Sequence, residues 1–449
     1  MIPRMVIAGT GSGVGKTSVT VGLMSLLSRK LRVQGFKVGP DFIDPMFHRA
    51  ATGRPSRNLD SFLMDRSTIE NLFGWSTGDA DLAIVEGVRG LYEGLTATGD
   101  RGSTAEIARI LGAPVILVVN ARSLGKSAAA QVLGYRMLDP RVRVEGVVLN
   151  QVTGERHRQK ATEAVERLTG TSVVGCIERS PESMPERHLG LVTAEEHHLP
   201  SLLGRLEVMV ADLDLDALLE IARRGGEGRF PEGCPFPPGG GGVTVAVPRD
   251  RAFSFYYQEN LESMEAAGCE IIEFSPLEGD PLPEADSYYL GGGYPEVHAS
   301  QLSENRDFLE GLKNASEEGR LVYGECGGML AMCRSIDNGE GSYSLSGIFP
   351  YRAQLTEGRQ ALSYVRARGT RDNFLFPDRE VRGHEFHYTR LLPSPEGGFA
   401  FHVDRGKGID GRHDGIMVRR TVGTYMHQHA LSNREWGRAW ARCVDNPPA

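Results

Sequence analysis

The chain has 449 residues, of which 24% are charged and 40% hydrophobic, and its net charge is −8. This length is more than one hydrophobic core usually organises, so we expect two domains of a soluble globular protein. The acidic balance excludes a basic footprint for nucleic acid or for an anionic membrane surface.

Neither a membrane segment nor a disulfide framework is predicted. No apolar run approaches the ~20 residues that a membrane-spanning helix needs, and the first residues lead into a strand without a signal-peptide layout. The six cysteines contain no Cys-x-x-Cys pair. They are therefore expected to be reduced thiols, and the location to be cytoplasmic.

The first 200 residues alternate between short apolar runs and helical patterns. This alternation is typical of an α/β domain with a parallel sheet covered on both faces. Strands are predicted at Met5–Ala8, Gly35–Val38, Leu82–Val85, Val115–Val119, Val144–Leu149 and Ser172–Cys176. Helices are predicted at Lys16–Ser28, Thr104–Leu111, Ala128–Leu138 and His157–Leu168.

A Gly/Pro-rich segment at 225–242 interrupts the pattern. Such a composition does not form a packed element, so we predict a first domain at 1–224, a linker at 225–242 and a second domain at 243–449. The second domain is expected to be α/β as well, with a more β-like, Arg-rich stretch from Ser344 to about Arg390. Its strands are predicted at Val243–Val247, Glu270–Phe274, Ser287–Leu290 and Leu321–Tyr323.

A phosphate-binding loop is predicted at Gly9–Thr17, between the first strand and the first helix. Backbone N–H groups of such a loop surround phosphate oxygens, while its lysine neutralises their charge and its threonine binds Mg²⁺. Thr10 stands where the strict pattern has glycine, so the loop is a variant. Gly11 stands where partition-type ATPases carry a second lysine, which disfavours that class. The predicted nucleotide-binding residues are Gly11, Gly13, Val14, Gly15, Lys16, Thr17 and Ser18.

Acidic residues follow the next two strands of the predicted sheet. Asp41 and Asp44 come after the second strand, and Glu86 and Glu93 after the third. Open parallel sheets bind ligands at these strand ends, so Asp41 and Glu86 are predicted to join the loop threonine in holding Mg²⁺. Any one of these acids alone is more often a helix cap or a solvated residue, but two successive clusters favour a site. Lys37 is predicted to clamp a substrate carboxylate or phosphoryl group.

A second reaction centre is predicted at Cys326, in a Gly-Glu-Cys-Gly-Gly turn between a strand and a helix. This elbow exposes a nucleophile at a helix N-terminus, where thiolate is favoured. Backbone N–H groups at Gly292, Gly293 and Gly327 are predicted to form an oxyanion hole. A histidine is expected as the base, and spacing does not choose among four candidates. These are His384, His387, His427 and His429.

These motifs, in this order, resemble the glutamine-dependent tetrapyrrole a,c-diamide synthases, a family with cobyrinate and Ni-sirohydrochlorin members. The resemblance runs essentially end to end and implies two α/β domains. The first would be a dethiobiotin-synthetase-like domain with the phosphate loop, and the second a flavodoxin-like class I glutamine amidotransferase domain. The matching segments are Gly9–Thr17, Lys37–Pro45, Val85–Gly87, Leu290–Glu296, Gly324–Gly328 and Gly383–His387.

The resemblance also implies roles for individual residues. Cys326 would be the glutaminase nucleophile, and His427 would raise its nucleophilicity. Many class I glutaminases carry a glutamate two residues after this histidine; here the position is His429, so a dyad without the usual orienting carboxylate is expected. The substrates would be L-glutamine, ATP and a tetrapyrrole, with Mg²⁺ as cofactor, and a homodimer is left open. Substrate binding and activation would fall to Lys37, Asp44, Arg89 and Glu93.

The segment after the third strand bears on the choice of macrocycle. Arg89 and Glu93 stand where the cobyrinate enzymes have Met and Asp. An added arginine suits a more carboxylated macrocycle, which favours Ni-sirohydrochlorin. The alternatives are a cobyrinate a,c-diamide synthase, an amidase of the adenosylcobyrate type that acts on other side chains, and a P-loop partition or switch ATPase.

Overall fold

The computed structural model describes residues 2–179, 199–226 and 228–445, and the backbone of a short hairpin formed by Glu186–Arg187 and Gly190–Leu191. The chain divides into two compact units, Met1–Pro235 and Phe236–Ala449. The boundary falls within the Gly/Pro-rich segment. Both units are α/β, which confirms the predicted fold class. Over the residues described, no helix is long and apolar enough to cross a membrane.

A seven-stranded parallel sheet forms the centre of the first unit. Its strands are β1 (Arg4–Gly9), β2 (Val33–Val38), β3 (Arg57–Leu59), β4 (Leu82–Glu86), β5 (Val115–Asn120), β6 (Val144–Val152) and β7 (Ser172–Glu178). They lie in the order β3-β2-β4-β1-β5-β6-β7, so β1 is central and its carboxyl end leads into the phosphate loop. The residues of β1 and β4 are buried throughout, as expected of strands covered on both faces.

Helices flank this sheet. They are α1 (Lys16–Ser28), α2 (Ile43–Thr52), α3 (Arg66–Thr77), α4 (Thr104–Leu111), α5 (Lys126–Leu138), α6 (Gly154–Thr169), α7 (Leu199–Val210) and α8 (Leu215–Arg223). The sequence did not predict α2, whose first turn contains Pro45. Proline is tolerated there because the first N–H groups of a helix have no intrahelical acceptor. The hairpin strands at Glu186–Arg187 and Gly190–Leu191 are β8 and β9.

A ten-stranded mixed sheet forms the centre of the second unit. Its strands are β10 (Thr244–Pro248), β11 (Glu270–Phe274), β12 (Ser287–Leu290), β13 (Leu321–Glu325), β17 (Ala361–Gly369), β18 (Glu380–His387), β20 (Phe399–Arg405), β21 (His413–Val418), β22 (Thr421–Thr424) and β23 (His427–Gln428). The order is β11-β10-β12-β13-β22-β21-β20-β17-β18-β23. The first five strands pair in parallel and the remainder antiparallel. This β-rich half confirms the predicted change of character after Ser344.

A smaller sheet and short helices complete the second unit. The small sheet contains β14 (Cys333–Asp337), β15 (Ser342–Ser344), β16 (Phe349–Leu355) and β19 (Thr389–Leu392). The helices are α9 (Gln258–Ala266), α10 (Ala299–Glu304), α11 (Arg306–Glu317), α12 (Gly327–Met332) and α13 (Trp436–Asp445).

Aromatic packing supports the strands that carry the cysteine turn. Trp436 and Trp440 of α13 are fully buried and lie 5.6–6.0 Å, between ring centroids, from Tyr289 on β12 and Tyr323 on β13. The Trp440 indole N–H also donates to the Ser287 hydroxyl at 2.9 Å. These large buried rings pack directly against β12 and β13, and the last residue of β13 precedes Cys326.

Candidate active sites

The phosphate loop takes a conformation that its glycines make accessible. Gly13 and Gly15 have φ of +73° and +91°, and a Cβ on Gly15 would lie 2.3 Å from Nδ2 of Asn150. That amide, at the end of β6, donates to the Val14 carbonyl at 2.9 Å. On the other side of the loop, the Tyr135 hydroxyl donates to the Thr10 carbonyl at 2.6 Å. The loop is therefore held in shape from two sides, by residues that no motif singled out.

The inner side of the loop is open and carries a buried cation. A Cβ placed on Gly11 or Gly13 meets nothing within 4 Å. Lys16 is buried, and its Nζ donates to the Gly11 carbonyl at 3.0 Å. Burial, and then repulsion from Lys37, lowers the pKa of Lys16 to about 8. An anion placed above the loop would stabilise its charged form.

A buried charge cluster joins the loop helix to the next two strands. Glu86, at the end of β4, accepts a hydrogen bond from Thr17 Oγ1 at 2.6 Å and from Lys37 Nζ at 2.9 Å. Its second oxygen accepts from His48 Nε2 at 2.7 Å. Lys37 also forms an ion pair with Asp44, and all three charged side chains are at most 6% exposed. The structure thus brings together Thr17, Lys37, Asp44 and Glu86, four of the predicted site residues.

Each charge in the cluster shifts the pKa of the others. Burial raises the pKa of Asp44, and the neighbouring Asp41 and Glu86 add to that shift. Burial alone would also raise the pKa of Glu86, but Lys37, His48 and Thr17 outweigh it and the pKa is lowered. For Lys37, burial opposes the charge while the surrounding carboxylates raise the pKa. The ammonium is therefore held permanently charged between two acids.

His48 is a site residue that the sequence did not reveal. It lies on α2 four residues after Asp44, so both side chains lie on the same face of the helix. Its Nδ1 contacts the Ser56 hydroxyl at 3.0 Å, and its Nε2 bonds to Glu86. The Asp-x-x-x-His spacing was the available signal, but it is meaningful only once the segment is known to be helical.

Three other predicted residues lie on the loops that follow β2 and β4. Asp41 Oδ1 accepts the backbone N–H groups of Ile43 and Asp44 at 2.9 and 3.0 Å and so caps α2. Arg89 and Glu93 are exposed on the loop after β4, where Arg89 has a φ of +49°. That loop is tied to the strand before the phosphate loop by a 2.9 Å hydrogen bond from the Leu91 N–H to the Gly9 carbonyl.

The residues present fit Mg²⁺ bound together with a nucleotide. Within the described residues, no group of three or more His, Cys, Asp or Glu side chains is arranged to hold a metal ion. Mg²⁺ at nucleotide sites usually has one or two protein oxygen ligands, with phosphates and water supplying the rest. The Thr17 hydroxyl next to the Glu86 carboxylate is such a pair. The buried Asp44 Oδ1, which has no hydrogen-bond partner among the described residues, is a further oxygen nearby.

The cysteine turn is a tight elbow between β13 and α12. Cys326 has φ +47° and ψ −101°, a region that non-glycine residues rarely occupy, and its N–H donates to the Thr424 carbonyl at 2.6 Å. A Cβ on Gly328 would lie 2.2 Å from the Leu290 carbonyl oxygen. A Cβ on Gly327 would lie 3.0 Å from the Gly293 nitrogen. The glycines thus allow the elbow to pack against the predicted oxyanion loop.

The prediction that the elbow favours thiolate is wrong. Burial, followed by the charges of Glu296 and Glu325, raises the pKa of the Cys326 thiol, and a backbone hydrogen bond at Gly327 offsets this only in part. The N-terminus of the following helix, α12, would stabilise a thiolate by about 0.3–1 kcal/mol, which is too little to outweigh burial. The thiol therefore needs a base to accept its proton when it attacks.

The four candidate histidines are all buried and occupy distinct environments. His427 packs against the oxyanion loop, because a Cβ on Gly292 would lie 2.4 Å from its Cε1. The His384 ring stacks on the His427 ring at 5.0 Å, and its Nδ1 contacts the Tyr257 hydroxyl at 3.0 Å. Burial, then repulsion from His427 and His429, lowers the pKa of His384 well below its usual value.

The remaining two histidines have structural contacts. His387 stacks on Tyr425 at 3.6 Å, and its Nδ1–H donates to the Thr389 carbonyl at 2.9 Å. Burial lowers the pKa of His387 to about 4. His429 Nδ1 accepts the Leu431 N–H at 3.1 Å and caps a short 3₁₀ helix. This geometry favours His427 as the base.

A carboxylate also lies next to His427. Oε2 of Glu325, the residue before the nucleophile, is 3.5 Å from His427 Nδ1, and both side chains are at most 3% exposed. The sequence predicted no orienting carboxylate, because the position where the family usually carries a glutamate is His429. It did not reveal that Glu325, the residue before the cysteine, lies next to the His427 imidazole.

Comparisons with known proteins agree with both halves of the chain. Residues 5–192 match the family described as the CobQ/CobB/MinD/ParA nucleotide binding domain, and residues 244–435 match the CobB/CobQ-like glutamine amidotransferase domain. The cobyrinate a,c-diamide synthase of Methanosphaera stadtmanae is 44% identical to this chain over 97% of each protein. That of Methanothermobacter thermautotrophicus is also 44% identical, over 98% of this chain and 99% of the relative. The Archaeoglobus fulgidus protein of the same name is 42% identical over 98% of this chain and 97% of its own. The chain therefore belongs to the cobyrinate a,c-diamide synthase family and is a glutamine-dependent amidotransferase of the ligase class.

Proposed function

We propose that the protein uses ATP and glutamine to convert the a- and c-acetate carboxylates of a tetrapyrrole into amides. Two features found in one chain carry the proposal. One is a phosphate loop joined to a buried Lys–Glu–Asp cluster, and the other is a strained cysteine elbow that packs, like His427, against the Gly292–Gly293 turn. The first centre suits phosphoryl transfer, and the second suits release of ammonia from glutamine. The names of the relatives support the macrocyclic substrate.

At the glutaminase centre, His427 takes the proton of Cys326 as sulfur attacks the glutamine side-chain amide. The C–N bond breaks, the leaving nitrogen takes that proton to give ammonia, and a thioester remains on sulfur. Water then hydrolyses the thioester to glutamate and restores the thiol. Backbone N–H groups of the Gly292–Gly293 turn and Gly327 are proposed to stabilise the oxyanion, which is typical of acyl transfer.

At the synthetase centre, a substrate carboxylate attacks the γ-phosphorus of ATP, giving an acyl phosphate and ADP. Ammonia then attacks the acyl carbon, an amide forms, and phosphate leaves. Lys16 and Lys37 supply positive charge to the phosphate oxygens, and the buried carboxylates hold Lys37 in place. Mg²⁺, held by Thr17 and Glu86, would neutralise phosphate charge when bound. Asp41 is proposed to take part in Mg²⁺ binding from the edge of this site, since one of its oxygens already caps α2.

For the macrocycle, we propose Ni-sirohydrochlorin as the preferred substrate. Arg89 supports this proposal because it is an exposed cation on a loop tied to the strand of the phosphate loop, where an additional carboxylate would meet it. Glu93 lies on the same loop, where it is proposed to take part in substrate binding. Cobyrinate is the second candidate, and the names of the relatives favour it.

The test is to supply each macrocycle with ATP and glutamine and to count acid-to-amide conversions by mass spectrometry. Two conversions on Ni-sirohydrochlorin, with matched loss of glutamine and ATP, are expected. Arg89→Met introduces the residue of the cobyrinate pattern. It should raise the ratio of kcat/KM for cobyrinate to kcat/KM for Ni-sirohydrochlorin by about tenfold, roughly the effect of one charge-assisted contact. Conversion of cobyrinate alone would refute the nickel assignment. Amidation at other side chains would indicate the adenosylcobyrate-type alternative, and ATP hydrolysis without glutamine loss would indicate a switch ATPase.

A further inference from the structure

We propose that Glu325 is the residue that positions His427, so that the glutaminase centre is a Cys–His–Glu triad whose acid directly precedes the nucleophile. This inference rests on the proposed function of Cys326 and His427. The established class I arrangement takes its glutamate from two residues after the histidine, and here that residue is His429. The Glu325 carboxylate instead approaches the imidazole from the end of β13.

Two hydrogen bonds hold the Glu325 carboxylate next to His427. Oε1 accepts the backbone N–H of Gln428 at 3.1 Å, which fixes the chain directly after the histidine. Oε2 accepts the Tyr289 hydroxyl at 3.2 Å and lies 3.5 Å from His427 Nδ1. Since Glu325 is 1% exposed, water does not compete for these contacts. The carboxylate therefore has little freedom to turn away.

The opposite sides of the imidazole are also confined. The absent side chain of Gly292 leaves the space that Cε1 occupies, and the His384 ring stacks at 5.0 Å with an interplanar angle of 20°. Since Nδ1 faces Glu325, Nε2 is the nitrogen that would take the Cys326 proton in the proposed mechanism. When it does, a buried imidazolium forms, and the adjacent carboxylate stabilises that charge. This stabilisation matters because burial makes the thiol harder to ionise.

A second buried His–Glu pair in the same domain provides a matched control. His429 Nε2 lies 3.6 Å from Glu259 Oε2, nearly the distance of the Glu325 pair, and both residues are fully or almost fully buried. His429, however, uses Nδ1 to cap a 3₁₀ helix through the Leu431 N–H. If burial of a His–Glu pair mattered only for folding, the two glutamates would behave alike. If Glu325 acts through His427, only one of them affects the chemistry.

The experiment compares E325Q, E325D and E259Q in the full-length protein. Three quantities are measured for each variant: glutaminase kcat and KM, the rate at which iodoacetamide alkylates Cys326, and amidation with ammonium salt in place of glutamine. For E325Q we expect kcat to fall about 100-fold while KM stays within about threefold of wild type. This loss of kcat is smaller than the ~10⁴-fold loss in serine-protease triads, because the contact between Glu325 and His427 is long at 3.5 Å. Alkylation should slow, and ammonia-dependent amidation should persist. E325D should recover about tenfold of the lost kcat, and E259Q should stay within about threefold of the wild-type protein.

Several results would overturn the proposal. These are an E325Q kcat within about threefold of wild type, equal losses in E325Q and E259Q, or a loss confined to KM. Should E325Q fail to fold, E325D decides alone: an unchanged thermal midpoint with a kcat loss of about tenfold supports the role, and a wild-type kcat contradicts it. Failure of the underlying function has a separate signature, because C326A would then still hydrolyse glutamine.

Discussion

Replacing Lys37 by methionine is expected to destabilise the first unit locally and strongly. The methionine keeps the length and apolar stem of lysine but leaves the Asp44 and Glu86 carboxylates buried without their shared cation. Removing one partner of a buried ion pair typically costs about 3–5 kcal/mol. Glu86 retains Thr17 and His48 as donors, whereas the ion pair of Asp44 is lost outright, so the larger part of the cost falls on Asp44.

The destabilisation should grow with pH. In the wild-type protein the pKa of Glu86 is lowered, so its stabilising contribution is present above its ordinary pKa and is lost only as the pH falls through the lower value. Without Lys37, burial raises the pKa of Glu86 and raises that of Asp44 further than in the wild-type protein, so the folded variant must bind protons that the unfolded chain releases. Its stability therefore falls as the pH rises from about 4 toward neutrality. The difference from wild type should shrink by at least about 1 kcal/mol between pH 7.5 and pH 5.

Hydrogen–deuterium exchange measures this effect where it arises. Peptides from β2, α2 and β4 should lose roughly two to four orders of magnitude of protection, since about 1.4 kcal/mol corresponds to a factor of ten. Peptides from β13 in the second unit serve as an internal reference. Lys30→Met, which removes an exposed lysine, should change protection by less than about 0.5 kcal/mol. A K37M loss below about 1 kcal/mol, or one that does not depend on pH, would refute the reasoning about the cluster.

Two further predictions concern the phosphate loop. ATP affinity, measured by calorimetry, should weaken by up to about tenfold per pH unit above pH 8, because the pKa of Lys16 is lowered to about 8 and the nucleotide binds its protonated form; a constant affinity from pH 7 to 9 would contradict this. Gly15→Ala should weaken ATP binding far more than Gly13→Ala. Both glycines have positive φ, which costs an alanine about 1–2 kcal/mol, but only at Gly15 does the new Cβ also collide with Asn150. Equal losses would show that the contact is not decisive.

Much of the architecture followed from local sequence patterns. Continuous apolar runs identified the buried parallel strands, and the loop at Gly9–Thr17 identified the nucleotide centre, because both depend on neighbours in the chain. The sequence placed Asp44 after the second strand but predicted no helix there, whereas the residue lies in the first turn of α2. Without that helix His48 was not recognised, because its position beside Asp44 depends on helical spacing. Asn150 and Tyr135 escaped notice because they act on the loop from distant elements.

The second centre shows a different limit of sequence reasoning. The elbow at Cys326 was predictable from its glycines. Its backbone packs so closely against neighbouring segments that a Cβ on either following glycine would collide with them. The ionisation of the thiol was not, since it depends on burial and on Glu296 and Glu325 rather than on the helix that follows. Nor could spacing choose among the histidines. That choice depends on the pairing of β18 with β23, which stacks His384 on His427.

The most direct test of the two-centre account is the Cys326→Ala variant, assayed for amide formation with either glutamine or ammonium salt as nitrogen source. Without its nucleophile, the protein should form no diamide from glutamine and ATP. With ammonium salt and ATP, at a pH where free ammonia is abundant, it should form the diamide at a rate within about threefold of wild type. Diamide formation from glutamine would show that Cys326 is not the nucleophile. Loss of amidation with both nitrogen sources would contradict the separation of ammonia release from carboxylate activation.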